Sequence, residues 1–257
     1  MSEAQLHRGL TLRALVPNGI TAAALCAGLT GIRFAITGDF QNAVLAVVLA
    51  GMLDGIDGRI ARLLKAQSRF GAELDSLADN VSFGVAPALI LFLWSLQSLP
   101  RIGWFAALAY AIACALRLAR YNAGIDLADE PRKVAGFLTG VPAPVGAGLV
   151  FLPLYLWFVT DDAQFRNPVL ISLWLVAMAF LMISNVATLS WSKLRPRRSL
   201  RLEVIALFGL VAAGLIAERW WTLIAICAVY LASLPVAIVL YARTKRQRAA
   251  AAPLEPA

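Results

Sequence analysis

Five acidic residues, Asp54, Asp57, Glu73, Asp75 and Asp79, fall close together in a chain of 257 residues that is 60% hydrophobic. Carboxylates are costly in apolar surroundings, so their clustering calls for a chemical reason. Asp54 and Asp57 are three residues apart and Asp75 and Asp79 four apart, and on a helix either spacing puts both side chains on one face. On two helices that turn back on each other near Gln67, Asp57 lies ten residues before the turn and Asp75 eight after it; Asp54 lies thirteen before and Asp79 twelve after. At a rise of about 1.5 Å per residue the pairs are level to about 1.5–3 Å, so all four can converge roughly 15–20 Å from the turn. Four anions so placed repel one another unless cations sit among them. Oxygen ligands without His or Cys favour a hard ion, Mg²⁺ or Mn²⁺, and four carboxylates can bridge two of them. Glu73 reads instead as a first-turn helix residue that complements the dipole.

Small residues accompany the cluster: Gly58 follows Asp57, Gly71 lies one turn before Asp75 on its face, and Ala61 is also small. They let a ligand or a partner helix approach the backbone. Arg59, Arg62, Lys65 and Arg69 flank the turn and can receive phosphate oxygens, arginine through a bidentate fork. The alternative is a structural ion-pair network with Arg59 and Arg62, but two arginines balance only part of four carboxylates.

The elements that hold these residues belong in lipid. Only 15% of residues are charged and the mean hydropathy is +0.75, well outside the range of soluble domains. A membrane helix needs about 20 mostly apolar residues, and the chain offers eight such stretches, near 17–36, 41–64, 72–97, 102–121, 142–159, 168–190, 203–217 and 220–241. The predicted class is an all-α integral membrane protein of about eight transmembrane helices. With both termini in the cytoplasm, 19 of the 23 Lys and Arg fall on that side, which fixes the orientation and places the acidic cluster at the cytoplasmic face. This topology accounts for the net charge of +8, and the scatter of the basic groups over several segments argues against a nucleic-acid partner. The basic residues from Lys193 to Arg201 and from Arg243 to Arg248 read as anchors on membrane lipids, the latter followed by a disordered end. Trp104, Trp157, Trp191, Trp220 and Trp221 read as an interfacial belt.

Cys26, Cys114 and Cys227 lie inside apolar stretches without metal-like spacing and read as buried small hydrophobes, with no disulfide framework. The single His7 lies near the terminus and excludes a His-rich zinc site. No cleavable signal is evident in the first apolar run. An ion transporter is the alternative of another class, since intramembrane carboxylates also mark ion pathways; the confinement of the acids to one face, beside a basic turn, argues against it.

The run Asp54-Gly-Ile-Asp57-Gly58-Arg-Ile-Ala61-Arg62, eight residues, Gly71, three residues, Asp75, three residues, Asp79 resembles the complete signature of the CDP-alcohol phosphotransferase family, with no departure at a signature position. Further segments, Pro17-Asn18-Gly-Ile-Thr21, Asp75-Ser-Leu-Ala-Asp79-Asn-Val-Ser82-Phe-Gly84-Val-Ala-Pro87, Arg117-Leu-Ala-Arg120-Tyr-Asn122 and Phe137-Leu-Thr-Gly140-Val-Pro142-Ala-Pro144, are similar to a bacterial membrane-spanning branch whose acceptor is L-serine.

The resemblance implies a six-helix catalytic core over about 15–192, two added helices over 200–242 and a basic tail over 243–257, in a homodimer of the cytoplasmic (inner) membrane. It implies transfer of a phosphatidyl group from CDP-diacylglycerol to the hydroxyl of L-serine, with release of CMP. Asp54, Asp57, Asp75 and Asp79 would bind two divalent cations, with Asp79 also taking the acceptor's proton. Gly58, Ala61, Arg62, Ser68 and Gly71 would contact the CDP-lipid, with Asn18 and Thr21 on the nucleotide side. Choline, glycerol phosphate, inositol and inositol phosphate are the alternative acceptors. Serine carries both a carboxylate and an ammonium, so Arg117 and Arg120, three apart, are candidates for a carboxylate clamp and Asn122 for orienting the amine. The competing reading of both arginines is a positive-inside anchor.

Overall fold

Each of the eight apolar stretches contains helix, and the departures from the expected limits have identifiable physical causes. The structure, a computed structural model, describes residues 12–124, 137–189 and 201–251. His7, Trp191 and the basic run from Lys193 to Arg198 lie outside the described residues, as does most of the polar connection that follows Asn122.

Helix α1 (Leu12–Ile36) is followed by α2 (Phe40–Leu63) and α3 (Arg69–Asp79). Helix α3 runs through a wider π-helical turn, Asn80–Val85, into α4 (Ala86–Trp94), and α5 spans Pro100–Asn122. A strand β1 (Phe137–Thr139) precedes α6 (Ala143–Val150), α7 (Leu152–Thr160) and α8 (Pro168–Ile183). A second strand β2 (Ala187–Leu189) comes next, and α9 (Arg201–Ala217) and α10 (Arg219–Ala251) complete the order. Five helical segments are long and apolar enough to cross a membrane: Arg13–Ile36, Arg69–Trp94, Pro100–Asn122, Ala143–Thr160 and Arg219–Thr244. Helices α8 and α9 are apolar but shorter, and α2 has 24 residues but carries Asp54, Asp57, Arg59 and Arg62 in its last third.

Side-chain caps set the starts of the two helices that carry the carboxylates. Asp39 caps α2 by accepting from the Asn42 amide at 3.1 Å, and Ser68 caps α3 by accepting from the Gly71 amide at 3.0 Å. Between them Lys65 adopts a left-handed backbone with φ 51°. The Ala66 amide donates to the Ala61 carbonyl at 2.9 Å and the Lys65 amide to the Arg62 carbonyl at 3.2 Å. This is the Schellman pattern that stops a helix and reverses the chain.

The core is built on α1 against α2 and on α5 against α8, with α1 also packing on α3 and α4. Trp94, Tyr110, Tyr155 and Phe83 are its largest fully buried side chains.

The sixth apolar stretch ends as a helix at Ile183 rather than running to 190. There the chain turns extended, and Ala187–Leu189 pairs antiparallel with Phe137–Thr139, with Leu138 opposite Thr188. The fifth stretch is two helices. Pro153 has no amide to offer the Leu149 carbonyl, and the Trp174 indole donates to that carbonyl instead, at 3.1 Å. Pro142 and Pro144 sit at the start of α6, so they begin a helix rather than kink one. Helix α10 continues past Arg243 to Ala251, where a tail was expected. Cys114 and Cys227 are buried as expected; Cys26 is exposed, on the outward side of α1. Glu73 lies beyond the first turn of α3 and is exposed, so it does not complement that helix end.

Candidate active site

Helix α2 presents Asp54 and Asp57, and α3 presents Asp75 and Asp79. Carboxylate oxygens of Asp54, Asp57 and Asp75 lie within 4.8 Å of one another. Asp79 lies beside Asp54, within its electrostatic reach. Asp57 is buried and the other three are half-buried.

The cleft is not a simple two-helix hairpin. Helices α2 and α3 approach each other little along their main chains, and α1 packs on both. The carboxylates therefore reach across a gap that α1 closes from one side. The Thr21 hydroxyl on α1 donates to Asp57 Oδ2 at 2.6 Å and stands 3.1 Å from the Pro17 carbonyl oxygen. A Cβ added at Gly71 would meet Asn18 Oδ1 at 3.0 Å and Ser68 Oγ at 3.2 Å. Asn18, Thr21, Ser68 and Gly71, widely separated in sequence, are thus gathered at one edge of the cluster. A Cβ added at Gly58 would meet nothing within 4 Å. Gly58 and Arg62 are exposed and Ala61 is half-buried, which leaves this side of α2 open to a ligand.

Directly after Asp79 the helix widens into the π turn. The Tyr110 hydroxyl donates to the Phe83 carbonyl within that turn at 3.0 Å, and the Ser82 hydroxyl donates to the Ala24 carbonyl at 3.3 Å. Gly28 makes room for this contact, since a Cβ there would lie 2.6 Å from Ser82 Oγ. The Phe83 carbonyl is thus satisfied from α5, and the turn is tied to α1.

Of the three residues expected at the acceptor, Asn122 Nδ2 donates to Ser76 Oγ at 2.8 Å, which sets it beside α3. Arg120 Nη1 donates to the Ile183 carbonyl and to Asn185 Oδ1, each at 3.2 Å, and so closes the end of α8. Arg117 is half-buried within electrostatic reach of Asp79 and of Tyr230 on α10. Its Nε has no hydrogen-bond partner among the described residues.

The residues present fit divalent metal. The donors are all carboxylate oxygens, three of them converge, and no Lys or Arg among the described residues forms an ion pair with any of the four. The ion-pair network with Arg59 and Arg62 is therefore not what the structure contains.

A multi-pass helical fold that gathers four carboxylates from two helices at one cleft fits a membrane enzyme that works with divalent metal. The chain belongs to the CDP-alcohol phosphatidyltransferase family, whose model matches residues 14–191; a model described as CDP-alcohol phosphatidyltransferase 2 matches residues 199–235. It is similar to the CDP-diacylglycerol–serine O-phosphatidyltransferase of Mycobacterium bovis, 36% identical over 232 residues that cover 90% of this chain and 80% of that protein. The protein of the same name from Mycobacterium leprae is 35% identical over 237 residues, covering 92% of this chain and 78% of that one. The one from Helicobacter pylori is 34% identical over 197 residues, covering 77% and 81%. The ion-transport alternative finds no support here.

Reasoning from sequence did not anticipate Thr21 as a partner of Asp57, the π turn with its Tyr110 contact, or Tyr230. These contacts join residues of different helices, and no local spacing signals them.

Proposed function

We propose that this protein transfers the phosphatidyl group of CDP-diacylglycerol to the hydroxyl of L-serine, forming phosphatidylserine and CMP. The observation that carries the reading is the convergence of Asp54, Asp57 and Asp75 within 4.8 Å, with Asp79 against Asp54, in a chain of this family. The names of the relatives support serine as the acceptor. Two divalent cations, Mg²⁺ or Mn²⁺, held by the four carboxylates, supply charge stabilisation to the diphosphate and to departing CMP.

The protein's own groups do the rest. Thr21 holds the Asp57 carboxylate in one orientation, which suits a ligand that must not swing. Open space at Gly58 lets the diphosphate approach α2, with Ala61, Arg62, Ser68, Gly71 and Asn18 around it. Arg117 attracts the serine carboxylate, Asn122 orients the amine, and Arg120 holds the end of α8 that backs the pocket. The serine oxygen attacks the β-phosphorus, the bond to the CMP oxygen breaks, and Asp79 takes the hydroxyl proton.

The site and both termini face the cytoplasm at the inner membrane, so the acyl chains stay in the bilayer while the head group reacts at its edge. The catalytic core is the six-span unit over about 15–192, followed by two added helices over 200–242 and the basic end over 243–257, and the working form is a homodimer. The test is CMP release by purified protein with CDP-diacylglycerol and Mn²⁺ or Mg²⁺. Serine, choline, inositol, glycerol 3-phosphate and inositol phosphate are compared, alongside Asp79→Asn. Serine-dependent release that the substitution abolishes supports the reading; release with another acceptor instead of serine overturns the choice of acceptor.

A further inference from the structure

Helix α10 lies beyond the segment matched by the first family model, which ends at 191, yet it packs against α7 and β2 and brings a side chain within electrostatic reach of Arg117. That side chain is Tyr230, 8% exposed. Its hydroxyl is buried and has no hydrogen-bond partner among the described residues. The Thr188 hydroxyl, which donates to the Gly140 carbonyl at 3.0 Å, is its nearest polar neighbour but stands outside hydrogen-bond geometry. Buried polar groups are seldom left without partners, because the lost hydration is not replaced. Here two such groups, the Tyr230 hydroxyl and Arg117 Nε, belong to side chains within electrostatic reach of each other, and Arg117 in turn is within electrostatic reach of Asp79.

We infer that Tyr230 and Arg117 together form the subsite for the acceptor's carboxylate, so that α10 contributes directly to acceptor recognition. The inference rests on the serine reading and deepens it. An O–H and a charged N–H are both donors, and a carboxylate is an acceptor with several lone pairs, so one carboxylate can satisfy both orphaned groups at once. In serine the carboxylate is two carbons from the reacting oxygen, so a hydroxyl placed at Asp79 puts the carboxylate a short distance away, where Arg117 supplies the cation. One arginine paired with a neutral phenol suits the single negative charge of a zwitterion. A phosphorylated acceptor would call for a second cation in place of the tyrosine.

The test measures serine and CDP-diacylglycerol kinetics on the purified full-length protein and on Tyr230→Phe. Tyr155→Phe serves as a matched control, because Tyr155 also has a buried hydroxyl without a partner among the described residues but packs against Trp220 instead. Loss of one hydrogen bond to a charged group is expected to raise the serine KM about 10- to 100-fold in Tyr230→Phe. The KM for CDP-diacylglycerol and kcat at saturating serine stay unchanged, and Tyr155→Phe behaves as the parent. A serine KM within twofold of the parent in Tyr230→Phe, or a parallel change in the constants for both substrates, overturns the inference. Failure of the parent protein to use serine at all would instead remove the reading on which it rests.

Discussion

The Thr21 hydroxyl donates a 2.6 Å hydrogen bond to Asp57 Oδ2 although 36 residues separate them in sequence. It is the contact by which α1, which carries none of the four carboxylates, governs the geometry of the cluster. Partners that orient ligating carboxylates change metal affinity by about 10- to 100-fold when removed. Thr21→Val, close in shape and without the hydroxyl, is expected to raise the half-saturating Mn²⁺ concentration for CMP release by about tenfold, while Thr21→Ser stays near the parent. A metal titration of initial rates measures this.

The carboxylates themselves admit less change. Asp57→Asn and Asp75→Asn are each expected to lower turnover by about 10³-fold or more, since several kcal/mol of charge stabilisation is at stake. Thermal stability of the metal-free proteins should hold or rise, because each substitution removes one of four crowded anions. Chelation should abolish the parent's CMP release, and added Mg²⁺ or Mn²⁺ should restore it. Turnover and detergent-solubilised melting curves together separate loss of function from loss of fold.

Gly58 and Gly71 should respond in opposite ways. A methyl group at Gly58 meets nothing, and alanine in a helix interior is favoured over glycine by about 1 kcal/mol. Gly58→Ala is therefore expected to leave Tm unchanged or raised while the KM for CDP-diacylglycerol rises about tenfold, as the methyl takes space meant for the substrate. At Gly71 the methyl meets Asn18 Oδ1 at 3.0 Å, so Gly71→Ala should lower Tm as well as activity. Melting curves beside substrate titrations distinguish the two.

Tyr110→Phe leaves the Phe83 carbonyl of the π turn without its donor in a fully buried position. The expected cost is about 1–3 kcal/mol of stability. Turnover should fall with it, because the turn begins at the residue after Asp79 and sets how α3 continues into α4. Chemical denaturation and steady-state rates in the same detergent check both parts.

How much of this could be read from the chain depends on the range of each interaction. The Asp54/Asp57 and Asp75/Asp79 spacings follow from helix periodicity alone, and so does their level placement about a turn near Gln67. The turn itself lies at Leu64–Ser68, where Lys65 takes a left-handed conformation that a search for glycine would pass over. The sixth apolar stretch reads as one span to 190, because nothing in residues 184–190 by itself reveals that Ala187–Leu189 has a strand partner at Phe137–Thr139. Arg120 reads as a substrate ligand from its place near the end of α5, and only the fold shows that its Nη1 donates to the Ile183 carbonyl and Asn185.

By itself, then, the sequence determined the solvent this protein folds in, the helices that cross or line it, and the faces on which its carboxylates stand, because burial in lipid and helical periodicity act over a few consecutive residues. Tertiary structure alone decided that α1 lies against both acidic helices with Thr21 on Asp57, and that Trp174 serves the carbonyl freed at Pro153. It also decided that Tyr230 comes within reach of Arg117. Those are relationships between groups far apart in the chain, settled only once the helices are packed.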